Sequence, residues 1–406
     1  MTRKIATGTS RTRAVIEVFA VFFKLGLTSF GGPVAHLGYF RNEFVARRRW
    51  LDENAYADIV ALCQFLPGPA SSQVGMSLGV LRAGVPGALA AWIGFTTPSA
   101  VALVIFAFGV ESGTRLMQAG ILHGLKVVTV AVVAQAVWSM GCTLCADRPR
   151  LTIALVSAVV ILSSPGALTQ LLVIAIAGLV GWKLLHVEQD LAPTFEQIRV
   201  PRGLSAVATM LFFVLLAVLP LAAVWSGSNA VAMFDTFYRT GSLVFGGGHV
   251  VLPLLQSELI PRHWVSNDIF LAGYGAAQAV PGPLFTFAAY LGAATSVQPN
   301  GWAGALLCLI AIFLPSLLLV LAALPHWQVL RKKQPARNAL AGVNAAVVGL
   351  LLAALYMPVW ASAILAPADL ALALVAFLLL VVWRVSPWII VLFSAAGGTM
   401  LYATAG

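Results

Sequence analysis

The chain is written as long apolar runs separated by short polar interruptions. Val85 to Val110, Leu168 to Leu185, Ser205 to Trp225, Ala303 to Pro325 and Ala368 to Val382 approach or exceed the roughly 20 residues that cross a bilayer as an α-helix. An outer-membrane barrel would read as alternating segments of about 10 residues, and these runs of Leu, Ala and Val do not alternate. The pattern predicts an all-α polytopic membrane protein with about 13 apolar segments. Six fall in the first half, an unpaired one runs from Ser205 to Trp225, and six more follow.

Composition agrees with the pattern. Hydrophobic residues make up 60% of the 406 positions and charged residues 9%, against about 25% charged in soluble domains. A water-soluble fold could not cover itself with so few charges. The net charge of +10 would suggest nucleic acid in a soluble protein, but here the basic residues sit in short loops, where they set topology. No nucleic-acid partner is expected. Arg3, Lys4, Arg11 and Arg13 precede an apolar stretch that Lys24 interrupts, so the first segment reads as retained rather than as a cleaved signal. Of the four cysteines, Cys63, Cys142, Cys145 and Cys308, three lie in apolar sequence and suit packing. Cys142 and Cys145 form a lone CxxC without neighbouring histidines, which argues against a metal site.

The helix breakers are written twice. Phe30-Gly31-Gly32-Pro33, Glu43, Trp50 and Gln64-Phe65-Leu66-Pro67-Gly68-Pro69 recur about 215 residues later as Phe245-Gly246-Gly247-Gly248, Glu258, Trp264 and Gln278-Ala279-Val280-Pro281-Gly282-Pro283. Thr97-Pro98-Ser99 likewise matches Leu314-Pro315-Ser316, and Gly124-Leu125-Lys126 matches Gly342-Val343-Asn344. Matched glycine and proline breaks inside apolar sequence mark a transport pathway in a membrane.

Charge placement orients the copies. Lys and Arg cluster at the N-terminus, at Arg41 to Arg49, at Arg148 and Arg150, at Lys183 to Arg202, at Arg331 to Arg337 and at Arg384. Placing these in the cytoplasm satisfies the positive-inside rule, provided Ala14 to Phe40 breaks at Ser29 to Pro33 and returns to the same side as a re-entrant segment. An odd helix between two six-segment halves then makes the repeat inverted. The expected organisation is a first repeat at 14–185, a linker with the unpaired helix at 186–230, and a second repeat at 231–406. Glu188, Asp190, Pro193, Glu196 and Pro201 give the linker its character.

An interrupted helix leaves backbone N–H groups without partners, and an inward-pointing N-terminus suits an anion. Ser29, Gly31, Gly32 and the matching Gly246, Gly247 and Gly248 offer amides, a hydroxyl and no bulk. Gln64 and Gln278 precede Pro67-Gly68-Pro69 and Pro281-Gly282-Pro283, with Ser71, Ser72 and Thr286 close by. Lys24, ten residues into the first segment, aligns with Arg239, and both are candidates to attract substrate. His36 and His249 flank the breaks as possible proton carriers or donors. Glu43 and Glu258 align and read as interfacial ion pairs with Arg41 and Arg262. The competing reading of both motifs is tight helix crossing.

These words resemble the chromate ion transporter family in its long two-domain form. The resemblance rests on Phe30-Gly31-Gly32-Pro33-Val34-Ala35-His36, Gln64 to Gln73, Phe245-Gly246-Gly247-Gly248-His249 and Ala277 to Pro283, and it covers the chain from about Val15 to Ala405. It implies export of chromate from the cytoplasm, with resistance, in the bacterial inner membrane. The implied partners are chromate or a similar tetrahedral oxyanion and the lipid bilayer, with a homo-oligomer compatible. No cofactor and no enzymatic activity are expected: the chain has no GxxxxGK[ST] loop, no GxGxxG loop and no haem-spaced histidine pair. A general sulfate-type oxyanion carrier and an anion channel are the alternatives.

Overall fold

The apolar runs fold as helices. A computed structural model describes residues 8–112, 115–186, 200–330 and 333–405, and every regular element among them is helical. The first half comprises α1 (Gly8–Thr28), α2 (Gly32–Phe40), α3 (Glu53–Phe65), α4 (Ala70–Ala83), α5 (Val85–Ser112), α6 (Arg115–Leu144), α7 (Arg148–Ser163) and α8 (Ala167–Leu184). After α9 (Arg202–Ser226) the series resumes as α10 (Asn229–Leu243), α11 (Val251–Leu259), α12 (Asn267–Ala277), α13 (Phe287–Ala294) and α14 (Gly301–Ala323). It ends with the short α15 (Trp327–Leu330), α16 (Gln334–Ala354), the one-turn α17 (Ala361–Ala363), α18 (Pro367–Val381) and α19 (Pro387–Ala405).

Among the described residues six stretches are long and apolar enough to cross a membrane: Val85–Gly109, Gly120–Leu144, Ala167–Leu184, Arg202–Ser226, Gly301–His326 and Gln334–Ala363. Shorter apolar helices accompany them at Leu284–Ala294, Pro367–Val381 and Pro387–Tyr402. The chain is an all-helical, multi-pass membrane protein. Arg3, Lys4, Arg331 and the linker residues Glu188, Asp190, Pro193 and Glu196 lie outside the described residues.

Both halves use the same close contacts. A Cβ at Gly26 of α1 would lie 2.8 Å from the Phe95 carbonyl oxygen of α5, and at the matching Gly241 of α10 it would meet the Ile312 carbonyl of α14. Gly79 and Gly87 interlock α4 with α5, as Gly292 and Gly304 interlock α13 with α14. Small residues allow this approach where lipid supplies no hydrophobic drive between helices. Matching caps start the third helix of each half: Asp52 accepts the Ala55 amide at 2.8 Å, and Ser266 accepts the Ile269 amide at 3.3 Å.

Beyond these bundles the halves exchange partners. Gly124 of α6 abuts the backbone of Ser394 on α19, and the matching Gly342 of α16 abuts Ala177 on α8. Thus α6 packs on α18 and α19, while α16 packs on α7 and α8. Each half completes its interior with the last helices of the other. The exchange is reciprocal between the two halves.

Candidate functional site

The repeated breakers form real interruptions. After α1 the chain turns through Gly31 at φ +100° and Gly32 at φ +76°, and Pro33 enters the first turn of α2. After α10 it turns through Gly246 at φ +77° and Gly247 at φ +139°, then makes a tight turn over Gly248–Val250 into α11. Left-handed backbone costs other residues about 1–2 kcal/mol, which is why glycine stands there. A Cβ at Gly32 or Gly247 would meet nothing within 4 Å, so both breaks border open space. The breaks also meet: a Cβ at Gly248 would lie 3.7 Å from Pro33 Cγ.

The Pro-Gly-Pro loops join this meeting crosswise. The Gly68 amide donates to the Val244 carbonyl at 2.6 Å, and the Gly282 amide donates to the Ser29 carbonyl at 2.9 Å. Each loop is therefore bonded to the break of the opposite half. Beneath Gly68 lies Ser316 of α14, and beneath Gly282 lies Ser99 of α5, whose Oγ would be 2.9 Å from an added Cβ. These serines follow Pro315 and Pro98, the prolines inside α14 and α5. Gln73 fastens the first loop from within, its Nε2 donating to the Pro67 carbonyl at 2.6 Å. The helices that leave the breaks and loops, α2 after Gly31 and α4 after Pro69, start without a side-chain cap. Their free amides and partial positive charge favour an anion.

Two chemically distinct crossings result. At the first, where Ser29, Gly31 and Gly32 meet Pro281, Gly282 and Pro283, buried His36 places Nδ1 3.3 Å from Ser71 Oγ and stands edge-on to Phe95. The second joins Gly246, Gly247 and Gly248 to Pro67, Gly68 and Pro69, and here His249 Nδ1 lies 2.6 Å from the Tyr274 hydroxyl. Gln278 has a buried amide nitrogen with no hydrogen-bond partner, whereas Gln64 is exposed.

A sequence model of the chromate transporter family matches the chain twice, over residues 16–182 and 231–399. The chain belongs to the chromate transporter family. It is 28% identical over 342 residues to a chromate transport protein of Pseudomonas aeruginosa, covering 82% of this chain and 79% of that one. Against a chromate transport protein of Cupriavidus metallidurans it is 25% identical over 407 residues, 97% of this chain and 95% of the relative. An uncharacterized transporter of Bacillus subtilis, YwrA, is 29% identical over 130 residues, 31% of this chain but 71% of its own length. No solved structure matches at a significant level.

In this chromate transporter family member the two charged candidates differ in their surroundings. Lys24 is exposed on α1 between exposed Phe23 and Leu27. Its counterpart Arg239 bonds Asp235 at 2.8 Å and Glu258 at 3.0 Å, and Glu258 also bonds Arg262 at 3.0 Å. The expected Glu258–Arg262 pair thus forms, but Glu43 pairs with Arg47 and Arg48 instead of Arg41, which turns to Glu53. The reason is helical register: Arg47 lies four residues on from Glu43 and faces it, while Arg41 lies only two away and points elsewhere. Burial pushes the Glu43 carboxyl up, and the bonds from Arg48 and Arg47 outweigh it, leaving the group below the usual range. Sequence reasoning did not assign Gln73, Ser99 or Ser316 to the site. The repeated Pro-Ser pair at Pro98-Ser99 and Pro315-Ser316 is the signal that finds two of them.

Proposed function

We propose that this protein carries chromate out of the cytoplasm across the bacterial inner membrane, as a transporter and not as an enzyme, and so confers chromate resistance. The oxyanion is held where the glycine breaks meet the Pro-Gly-Pro loops. The observation that carries this reading is the reciprocal pair of bonds from Gly68 to Val244 and from Gly282 to Ser29. It gathers four backbone interruptions at one place among apolar helices, beside uncapped helix starts and next to open space. Such irregular backbone is tolerated within a membrane only where protein or an aqueous cavity surrounds it. The substrate follows from the relatives called chromate transport proteins. The halves, 14–185 and 231–406, are read as an inverted repeat about the unpaired helix of 186–230, from the basic loops and the reciprocal contacts.

Export of a dianion is downhill in charge. With about 2.3 kcal/mol per elementary charge per 100 mV, a dianion leaving a cell that is 100 mV negative inside gains roughly 4.6 kcal/mol. Sulfate is the second reading, because amides and hydroxyls recognise shape and charge rather than the central atom. Uptake of radiolabelled chromate into everted vesicles with an inside-positive potential tests both. Saturable uptake that excess sulfate leaves intact supports the chromate reading, and complete suppression by sulfate favours the general carrier. Absence of uptake overturns oxyanion export.

A further inference from the structure

The two crossings are related by the repeat but differ in chemistry. At the first, two hydroxyls are enclosed and unpaired: Ser29 at 0% exposure and Thr96 at 2%, each with an Oγ that makes no hydrogen bond to the protein. Elsewhere in the helices hydroxyls commonly bond the carbonyl one turn back, as Thr28, Ser77, Thr97 and Thr129 do. Ser29 carries the carbonyl that receives Gly282, and Thr96 follows Phe95, whose ring meets His36 and whose carbonyl lies against Gly282. Both border the same crossing.

The matching positions of the second crossing are occupied differently. Val244 stands for Ser29 and Phe313 for Thr96. Gln73 faces this crossing with its nitrogen committed to Pro67, leaving only a carbonyl oxygen that bonds nothing. An unpaired acceptor repels an anion, while unpaired hydroxyls donate to one. We infer that the protein has a single oxyanion site, at the first crossing, in which Ser29 and Thr96 donate to the oxygens of a tetrahedral dianion, and that the second crossing is its non-binding counterpart.

This inference rests on the oxyanion reading and deepens it. An enclosed hydroxyl without a partner destabilises the empty protein, so its removal has opposite effects on stability and on binding. Ser29→Ala and Thr96→Val are compared with Val244→Ala, at the position of the second crossing that matches Ser29, in purified full-length protein, by equilibrium dialysis with radiolabelled chromate and by thermal unfolding without it. The first two are expected to weaken chromate binding about tenfold each while leaving the unfolding temperature of the empty protein unchanged or higher. Val244→Ala is expected to bind as wild type does. Wild-type affinity in the first two overturns the site, and an equal loss in Val244→Ala overturns the asymmetry. A fall in unfolding temperature that accompanies the loss of affinity reassigns the hydroxyls to structure. Wild-type protein that binds neither chromate nor sulfate overturns the oxyanion reading and this inference together.

Discussion

The Gly68 amide reaches across the molecule to the Val244 carbonyl, 2.6 Å away. Gly68 belongs to the loop between α3 and α4, and Val244 ends α10 in the other half. The mirror bond, Gly282 to Ser29, runs the opposite way at 2.9 Å. Neither half contains a complete crossing, so the candidate site exists only where the two are assembled.

Substitutions at the loop glycines should be corrected from the opposite half. A Cβ at Gly68 would collide with the Ser316 hydroxyl, on backbone at φ +114°. Gly68→Ala is expected to reduce chromate transport about a hundredfold through displacement of the loop. Adding Ser316→Ala should restore part of that loss, whereas Ser99→Ala should not. Vesicle uptake by the single and double variants measures the coupling.

The glycines at the breaks test the space beside them. Gly32→Val and Gly247→Val place a branched side chain in the open region, on left-handed backbone. Transport should be abolished while membrane insertion persists, read by uptake and by immunoblot of the membrane fraction. Retained transport in both variants would remove the breaks from the pathway.

The aligned cations Lys24 and Arg239 should behave unequally. Arg239→Leu leaves the Asp235 carboxylate buried without its partner, and loss of one member of a buried pair costs about 3–5 kcal/mol. The variant is expected to unfold at lower temperature in detergent and to accumulate poorly. Lys24→Ala removes an exposed side chain and should leave both unfolding and transport near wild type.

Orientation of the halves can be read by labelling. In a Cys142→Ser background, which removes the exposed native thiol, single cysteines replace exposed Asn42 and exposed Pro261, near Arg48 and Arg262. An impermeant maleimide should label them from opposite faces of the membrane. Labelling from one face would make the repeats parallel.

The breaks were legible because glycine and proline are costly in apolar helices, and a doubled motif discloses a duplicated fold. The exchange of partners was not. Phe30 to Pro33 and Pro67 to Pro69 lie near each other in sequence, and nothing in their residue types says that Gly68 bonds Val244 rather than its own half. Lys24 shows a second limit: alignment with Arg239 equates two positions without saying that one lies among carboxylates and the other on an exposed face. The pair of Glu43 with Arg47 followed four-residue helical spacing, while Arg48, five residues on, follows the wider π-helical turn over Arg41–Arg47, which the residue types do not announce.

The exchange between α6 and α19 also has a history in time. About 240 residues separate the end of α6 from the start of α19, and ribosomes add roughly 5–20 residues per second. The Gly124 face of α6 therefore waits on the order of 10–50 s for Ser394 to be made. During synthesis the first half stands with this small-residue face of α6 unpartnered, and its interior closes only once α19 has been made.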